Sequence, residues 1–319
     1  MDIKDLKKEL TFLGDNAIFT EIKDSNSGAS VYKVVDESKT YLLKIIPKSM
    51  FNEENFQRVA AVYQENGVKS IEIVKIGSNN DKSYVVYKFI DGEALNKIYD
   101  YYNENDYSSW GKVIGKSFRK INQKKYPNIL VREYNLEELT KQTITEFLSD
   151  LDTKLDYLKD ILSPKFLKKM IAKFKELTRT FAKEEKVIIH MDIHPKNIVL
   201  DKDKNIHIID IDATSYDYFV MNFRYSLLAA FKKEKNKAFF KGVIEGYYEN
   251  KIPDIFWQQL LYVFILNFME HIILFSNGKE KDYIIEYAKL IQDIFNKSHL
   301  LDDDMNLYNA FMAKEKTAQ

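Results

Sequence analysis

The stretch that decides the fold is IIHMDIHPKNIVLDKDKNIHIIDID, residues 188–212. It alternates short apolar runs with polar residues, which predicts short strands separated by loops. The predicted strands are 187–189, 198–200 and 206–209. The polar residues that could carry chemistry fall on loops beside these strands: His190, Asp192, Asn197 and Asp210. Because functional side chains are commonly placed on loops held by a rigid scaffold, these four are the first candidates for a site.

The segment before residue 90 is β-rich and contains one helical run. Apolar runs separated by the turn-forming sequences DSNSG and DESK predict an antiparallel meander. The predicted strands are 17–23, 30–35, 41–46, 71–76 and 83–89, and the predicted helix is 52–65. Residues 1–90 are therefore expected to form a small sheet lobe that carries one helix.

After Asp91-Gly92 the pattern becomes mainly helical. Long periodic segments predict helices at 136–162 and 164–183, and helical structure from 217 to about 297. Ser163 followed by Pro164 is a typical helix start, because serine caps free amides and proline suits the first turn. The predicted fold class is thus α+β, with a small antiparallel sheet lobe at 1–90 and a larger, mostly helical lobe at 91–319.

Composition and charge exclude several classes of protein. The chain has 319 residues, of which 48 are basic and 48 acidic, so no global field favours nucleic acid or an anionic membrane. It has no cysteine, which excludes disulfides and thiolate metal sites and suits a reducing compartment. The charged N-terminus does not resemble a secretory signal. The apolar segment 260–275 is interrupted by Asn267, Glu270 and His271, which predicts a buried helix rather than a membrane span. We expect a cytoplasmic protein without nucleic-acid or membrane partners.

The polar residues of the 188–212 stretch suit the chemistry of phosphoryl transfer. That reaction needs a carboxylate to orient and deprotonate the accepting hydroxyl, and oxygen ligands for the magnesium that bridges the phosphates. Asp192, Asn197 and Asp210 supply such groups, and one Asp with one Asn forms a partial magnesium shell. Taken singly, each is better explained as an ordinary turn residue.

The order and spacing of these residues resemble the aminoglycoside phosphotransferase family, which also includes choline and homoserine kinases. The family's catalytic loop reads H-G-D-x-H-x-x-N, and HMDIHPKN matches it, with Asp210 coming 18 residues after Asp192. The resemblance implies a bilobal, protein-kinase-like fold. It further implies that Asp192 is the catalytic base, Asn197 and Asp210 bind Mg²⁺, and His190 supports the loop. Met191 replaces the family's glycine, which is expected to perturb the loop backbone.

The resemblance extends upstream to Lys44, in the strand YLLKII. A kinase-like fold places the lysine that pairs with the nucleotide phosphates there. Its apolar neighbours on both sides favour a buried strand over an exposed edge. The following helix is expected to supply a carboxylate for this lysine, and Glu54 is taken as the candidate. The residues Glu53 and Gln57 fit the place as well.

Two further segments are expected to meet the nucleotide. The turn before the second strand contributes small residues that leave backbone amides free for phosphate, namely Ser27, Gly28 and Ala29. YVVYKFIDGEAL, residues 84–95, is predicted to be an apolar strand followed by a D-G turn and a helix, and it resembles the family's hinge between lobes. There the main chain from Lys88 to Ile90 would meet the edge of the base with a carbonyl and an amide. Neither segment distinguishes ATP from GTP as the phosphate donor.

The acceptor pocket is expected in the helical half of the chain. Acids and aromatic rings suit a cationic acceptor. The candidates are Asp212, Asp217, Glu270 and His271, beside Tyr216, Tyr218, Glu245, Tyr247, Tyr248 and Trp257. The prediction is thus a kinase that moves the γ-phosphate of ATP or GTP to a hydroxyl of a small molecule, either an antibiotic or an amino-alcohol metabolite. A kinase-like scaffold without turnover is the alternative, and the oligomeric state stays open.

Overall fold

The structure is a computed structural model that describes residues 3–22, 29–79, 81–249, 251–276, 281–302 and 306–312. The chain forms two compact units. Unit 1 consists of Met1–Ile98, Lys124–Leu130 and Pro195–Thr214, and unit 2 of Tyr99–Gln123, Val131–His194 and Ser215–Gln319. Each unit is therefore assembled from several chain segments. The predicted domain boundary near residue 90 stays a prediction, because a compact unit is not the same as an independently folding domain.

The first part of the chain is rich in strands, and the rest is mainly helical. The helices are α1 (Ile3–Glu9), α2 (Glu53–Glu65), α3 (Glu104–Ile121), α4 (Leu136–Thr153), α5 (Pro164–Leu177), α6 (Leu227–Lys232), α7 (Glu234–Tyr248), α8 (Asp254–Ser276), α9 (Lys281–Lys297) and α10 (Asn306–Met312). The strands are β1 (Ile18–Ile22), β2 (Ser30–Asp36), β3 (Lys39–Pro47), β4 (Ile73–Ser78), β5 (Lys82–Lys88), β6 (Gly92–Ala94), β7 (Val187–Ile189), β8 (Ile198–Asp201), β9 (Ile206–Ile208) and β10 (Ser215–Asp217). The predicted α+β class is confirmed.

Unit 1 is built on a five-stranded antiparallel sheet in the order β1-β2-β3-β5-β4. One face of this sheet buries Leu43 and Ile45 of β3 against a core that includes Leu6 and Leu10. Since successive strand residues point to opposite faces, Lys44 lies on the other face of the sheet. The alternation within YLLKII therefore separates the apolar core from the charged residue.

A second sheet of unit 1, in the order β6-β8-β9, carries the segment around Asn197. The sequence predicted a turn and a helix after Asp91-Gly92, whereas residues 92–94 form β6 and pair with β8. Any side chain on Gly92 would overlap the carbonyl oxygen of Leu200. This close backbone approach is what places a strand there, and it depends on a contact more than a hundred residues away in the chain.

Unit 2 surrounds the apolar helix α8. The stretch 260–266 of α8 is completely buried, and the helix packs against α4, α5 and α9. Among the described helices, α8 alone has the length and apolar character to cross a membrane. Most of that apolar stretch is buried within the unit, as the sequence predicted, so it forms the core of unit 2.

Two predicted helices of unit 2 end earlier than their apolar pattern suggests. The pattern over 136–162 becomes α4 followed by a 3₁₀ turn at Asp156–Asp160, and the pattern over 164–183 becomes α5 followed by Thr178–Phe181. Beyond α4 the leucines Leu155, Leu158 and Leu162 remain buried. A tighter turn therefore continues to bury apolar side chains where the α-helix has stopped.

Helices α3 and α7 touch backbone to backbone. Each has two glycines four residues apart at the contact, Gly111 and Gly115 on α3 and Gly242 and Gly246 on α7. An added Cβ at any of the four would overlap a carbonyl oxygen of the facing helix. Helix backbone atoms cannot move aside as the end of a flexible side chain can. The close spacing between α3 and α7 therefore depends on these glycines.

We expect Gly111→Ala to destabilise the protein. In an exposed helix this change would add about 1 kcal/mol of stability through helix propensity. Here the new methyl group overlaps the carbonyl oxygen of Phe239, and overpacking of this kind costs about 1–3 kcal/mol. A lowered midpoint of thermal unfolding would show it. Ser109→Ala, an exposed position on the same helix, is the control, and a Gly111→Ala midpoint at or above that of the control would contradict the prediction.

Candidate active-site residues

The HMDIH loop belongs to unit 2 and follows β7, which pairs with β10. His190 is completely buried, and its backbone N–H donates to Oδ1 of Asn222 at 2.9 Å. Asn222 in turn donates from Nδ2 to the carbonyl of Phe219 at 3.0 Å. At the other end of the loop, the Ser226 hydroxyl donates to the carbonyl of Ile193 at 3.0 Å. Two buried polar side chains thus fix the loop through its backbone, at His190 and at Ile193.

Sequence reasoning missed Asn222 and Ser226 as parts of the site. Both lie, with Arg224, in the mainly apolar run YFVMNFRYSLLAAF at 218–231. A polar side chain that is buried in such a run needs a hydrogen-bond partner, and loop backbone is the usual one. That signal could have identified the pair.

Asp192 is partly exposed at the loop, with 32% of its side chain accessible. Its Oδ1 lies 3.2 Å from Nε2 of His194, so these two side chains form a pair. Met191 between His190 and Asp192 is buried and has φ 63°, in the left-handed region that glycine adopts without cost. A left-handed conformation of this kind costs a methionine about 1–2 kcal/mol. The expected perturbation is therefore local strain at Met191.

In unit 1, Lys44 contacts two carboxylates that follow β9. Its Nζ lies 2.5 Å from Oδ1 of Asp210 and 3.0 Å from both carboxylate oxygens of Asp212. Only 10% of the lysine side chain is exposed. Burial alone would lower the pKa of Lys44, but the two carboxylates outweigh it and hold that pKa above its ordinary value. Lys44 is therefore a permanently charged cation in this cluster.

Asp212 responds to the same cluster. Its burial raises its pKa, the neighbouring Asp210 raises it further, and Lys44 opposes both effects. Two carboxylates and one ammonium leave the cluster with an excess of negative charge when all three ionise. A cation added to the cluster would be attracted for that reason.

In unit 1, Asn197 pairs through its backbone with Ile209, the residue before Asp210. The N–H of Ile209 donates to the carbonyl of Asn197 at 3.0 Å, which extends the pairing of β8 with β9 by one step. Asp210 itself has φ 62°, a left-handed conformation that ends the strand. Within the described residues there is no group of three or more His, Cys, Asp or Glu side chains that would cage a metal ion. An open pair of oxygen donors fits magnesium, which keeps several waters and binds phosphate oxygens.

Helix α2 holds the segment that carries the two aspartates. Asn55, which is buried, donates from Nδ2 to the carbonyl of Thr214 at 3.2 Å. Tyr63 of the same helix lies with its hydroxyl 3.2 Å from the Thr214 hydroxyl. The N–H of Leu130 donates to Asn55 Oδ1 at 2.7 Å. Helix α2 therefore fixes the end of the segment 210–214 through buried polar contacts.

The structure does not bring Glu54 to Lys44. Glu54 forms an ion pair with Arg58 one turn along α2, and 73% of its side chain is exposed. Glu53 accepts a hydrogen bond from Gln57 at 3.3 Å. Since Glu54 faces solvent on its helix, its carboxylate pairs locally, and the carboxylates on Lys44 come from the segment after β9 instead. The alternating acids of IDID are the sequence signal that could have suggested this.

The two segments expected to meet the nucleotide differ in how far the structure describes them. Ser27 and Gly28 lie outside the described residues, and Ala29 is buried just before β2. In the segment that the sequence predicts to be a hinge, the N–H groups of Lys88 and Phe89 donate to the carbonyls of Glu72 and Thr40. Of the three amides from Lys88 to Ile90, that of Ile90 is left without a partner among the described residues. A nucleotide base could use the Ile90 amide, whereas the other two are engaged in the sheet.

Among the acceptor candidates, Asp212 lies in the Lys44 cluster and Asp217 is completely buried in unit 2. Oδ1 of Asp217 accepts hydrogen bonds from the Tyr134 hydroxyl at 2.6 Å and the Tyr218 N–H at 2.8 Å. Its Oδ2 has no hydrogen-bond partner in the part of the chain that the structure covers. Burial raises the pKa of Asp217, against the effect of these bonds and of the nearby cations Lys186 and Arg132.

We expect Asp217→Asn to stabilise the protein increasingly as pH rises. Because the pKa of Asp217 is raised on folding, there is a pH range in which Asp217 is protonated in the folded chain and ionised in the unfolded chain. That range extends from the unfolded pKa of about 3.9 up to the folded pKa. Stability of the wild type therefore falls as pH rises through that window. Asparagine keeps an acceptor for Tyr134 and carries no charge, so this slope disappears. Thermal midpoints measured from pH 4 to pH 8 test it, with the exposed Asp152→Asn as control, and a constant difference from wild type would contradict it.

Glu270 and His271 also have partners within unit 2. Glu270 forms a two-pronged ion pair with Arg224, in which Nε and Oε2 are 2.9 Å apart. His271 Nδ1 lies 2.8 Å from the carbonyl of Asn267 and its ring stacks near Tyr287. Burial lowers the pKa of His271. Glu270 and His271 are thus paired with neighbours in the same unit, whereas Oδ1 of the buried Asn267 has no hydrogen-bond partner among the described residues.

The fold and these residues define a class of protein. A five-stranded sheet with one helix holds a buried lysine against an aspartate after a short strand, and a mainly helical unit carries an HMDIH loop. Together these are the features of a kinase-like phosphotransferase. A sequence model of the phosphotransferase enzyme family matches residues 20–254. The chain belongs to that family, and the predicted enzyme class, a small-molecule kinase, is confirmed at the level of the family.

Solved structures with a similar fold cover nearly the whole chain. The microcompartment-associated aminopropanol kinase is 15% identical with a TM-score of 0.70, over 96% of this chain and 100% of that one. Spectinomycin phosphotransferase in complex with ADP and spectinomycin is 15% identical with a TM-score of 0.60, over 97% of each chain. An ethanolamine kinase of Plasmodium vivax is 17% identical with a TM-score of 0.57, over 89% of this chain and 84% of that one. No curated protein matches the sequence significantly. At these identities the likeness shows the fold.

Proposed function

We propose that the chain transfers the γ-phosphate of ATP or GTP to a hydroxyl group of a small molecule. The observation that carries the proposal is the cluster in unit 1, where buried Lys44 contacts Asp210 and Asp212, and where Ile209, the residue before Asp210, pairs with Asn197. A fixed ammonium next to oxygen donors is the arrangement that binding a metal-bound polyphosphate requires. The family membership gives the reaction type independently of this geometry.

The residues then divide the work as follows. Lys44 binds phosphate oxygens of the nucleotide, and Asp210 with Asn197 supplies oxygen ligands for Mg²⁺. Magnesium, when bound, neutralises charge on the phosphates and orients them for transfer. Lys44 stays protonated in this position, because the neighbouring carboxylates raise its pKa.

Asp192 is the proposed base. Its carboxylate is partly exposed and is paired with His194, so it is accessible to a hydroxyl. Asp192 accepts the proton of the acceptor hydroxyl while that oxygen forms a bond to the γ-phosphorus and the bond to the nucleoside diphosphate breaks. His190 and Asn222 hold the loop in one conformation, which keeps the carboxylate in place.

For the acceptor we propose a small amino alcohol, or an antibiotic that bears amino and hydroxyl groups. Aminopropanol and ethanolamine are the substrates named for two proteins of similar fold, and spectinomycin for a third. The helical unit 2 contains the buried Asp217 and the Arg224–Glu270 pair, together with exposed aromatic side chains such as Tyr225. We place the reaction in the cytoplasm, which supplies ATP and GTP and is a reducing compartment of the kind that a cysteine-free chain suits.

The proposal is tested with the purified full chain, Mg²⁺, ATP or GTP, and a panel of amino alcohols and aminoglycosides. Phosphorylated acceptor detected by mass spectrometry, formed only with magnesium and nucleotide, is the expected result. Binding of a fluorescent nucleotide with and without magnesium is measured in parallel. A chain that neither binds nucleotide in a magnesium-dependent way nor forms product would be a kinase-like scaffold, and the proposal would be wrong.

A further inference from the structure

We infer that Asp212, and not a carboxylate of helix α2, is the residue that positions Lys44 for phosphate binding. The inference rests on the proposed function and deepens it. It assigns Asp212 away from the acceptor pocket, where the sequence had placed it. Asp212 is a positioning residue in this role, because it acts on the nucleotide through Lys44.

The contacts of Lys44 separate the two aspartates. Asp210 offers one oxygen at 2.5 Å, whereas Asp212 offers both oxygens at 3.0 Å. The side chain of Asp212 is also the less exposed of the two, at 27% against 38%. Asp212 therefore encloses the ammonium from one side with its whole carboxylate, whereas Asp210 contacts it through one oxygen.

The two acids at the start of α2, Glu53 and Glu54, have other partners. Glu54 pairs with Arg58 on the exposed face of the helix, and Glu53 accepts from Gln57. The contribution of α2 to the cluster is different. Asn55 and Tyr63 hold Thr214, two residues after Asp212, through buried polar contacts. The helix therefore sets the position of Asp212, and Asp212 sets the position of Lys44.

A second carboxylate is needed because Asp210 has two demands on it. A buried ammonium without a nearby anion is costly, so Lys44 requires a counter-charge at every stage. When Asp210 ligates magnesium, part of its charge is taken by that cation. Asp212 then keeps Lys44 in place, and the lysine can turn its remaining N–H donors to the phosphates.

The competing assignment is that Asp212 is a second magnesium ligand. The two roles predict that the effect of losing Asp212 on nucleotide binding depends differently on Lys44 and on the magnesium concentration. A lysine-positioning residue matters only when Lys44 is present, and its loss weakens nucleotide binding without changing the magnesium requirement. A magnesium ligand matters whether or not Lys44 is present, and its loss raises the magnesium concentration needed for half-maximal binding.

The first measurement compares magnesium-dependent binding of a fluorescent ATP analogue across variants. We expect Asp212→Asn to weaken binding about ten-fold, as for loss of a charge-assisted contact, with no change in the magnesium midpoint. Asp212→Glu should restore part of the affinity. In a Lys44→Met background, Asp212→Asn should lower the affinity for the ATP analogue by less than two-fold. Asp203→Asn, an exposed acid of the same segment, is the matched control, and Glu54→Gln tests the helix carboxylate.

Several results would overturn the inference. A raised magnesium midpoint in Asp212→Asn that persists in the Lys44→Met background would make Asp212 a metal ligand. A Glu54→Gln variant with the ten-fold loss would return the role to α2. Asp212→Asn that behaves like Asp203→Asn would leave no role for the residue.

A second measurement needs no nucleotide and separates this inference from the proposed function. Thermal midpoints are measured for Lys44→Met, Asp212→Asn and the double variant. Because the residues are in contact, the double variant should lose clearly less than the sum of the single losses, whereas Lys44→Met with Glu54→Gln should be additive. If the wild type binds no nucleotide, the proposed function is wrong, but the thermal midpoints still show whether Asp212 holds Lys44. If the losses of Lys44→Met and Asp212→Asn are additive, the inference is wrong.

Discussion

Asp192→Asn is expected to lower kcat about 10²- to 10⁴-fold, the usual contribution of a general base. Asparagine has nearly the shape of aspartate but cannot accept the proton of the acceptor hydroxyl. Asp192 is paired with His194 in unit 2 and has no assigned contact with the nucleotide, so the nucleotide affinity should be unchanged. Steady-state kinetics with the acceptor found in the panel, together with direct nucleotide binding, measure both quantities.

The control for Asp192→Asn is a variant that removes an exposed acid without touching the loop. Asp203→Asn on the β8–β9 turn serves, and its kcat should stay within two-fold of wild type. Loss of nucleotide affinity in Asp192→Asn, or a kcat that is close to normal, would contradict the assignment of Asp192 as base.

Asp210→Asn is expected to weaken magnesium-nucleotide binding itself, by about 10- to 100-fold. The substitution removes an anionic oxygen from the proposed magnesium shell and one of the two carboxylates on Lys44. Binding of the nucleotide without magnesium should change much less, since Asp212 still holds the lysine. Titrations of the fluorescent nucleotide at several magnesium concentrations distinguish the two effects.

The two variants are informative as a pair. Asp192→Asn should lose turnover and keep binding, whereas Asp210→Asn should lose binding first and recover part of its rate at high magnesium. Equal losses of the same kind in both variants would show that the proposed division of roles is wrong. Asp210→Asn with an unchanged magnesium dependence would remove Asp210 from the metal site.

Much of the fold was predictable because its signals are local. The strands around residue 200 and the meander of unit 1 were located from alternation and turn residues, and the observed bounds differ by at most two residues. Ser163 caps α5 at the N–H of Phe166, as its position before Pro164 predicted. In each case one short stretch of chain contains all the residues that decide the outcome.

The contacts that sequence reasoning missed or misassigned join distant parts of the chain. Lys44 was assigned to a helix carboxylate ten residues away, yet its partners are 166 and 168 residues away. Asn222 binds the backbone 32 residues before it. The turn expected after Asp91 became a strand because Gly92 packs on Leu200. Pattern within a segment carries no information about which of several suitable partners, far along the chain, will lie beside it.

The amino-acid sequence by itself determined the order of strands and helices, the HMDIHPKN loop and the types of side chain that phosphoryl transfer needs, because periodicity and spacing are properties of neighbouring residues. The tertiary structure alone decided that Asp210 and Asp212 hold Lys44, that Asn222 holds the loop and that α3 meets α7 backbone to backbone. Those outcomes follow from burial: a charge or polar group taken out of water must find its partner wherever packing puts one.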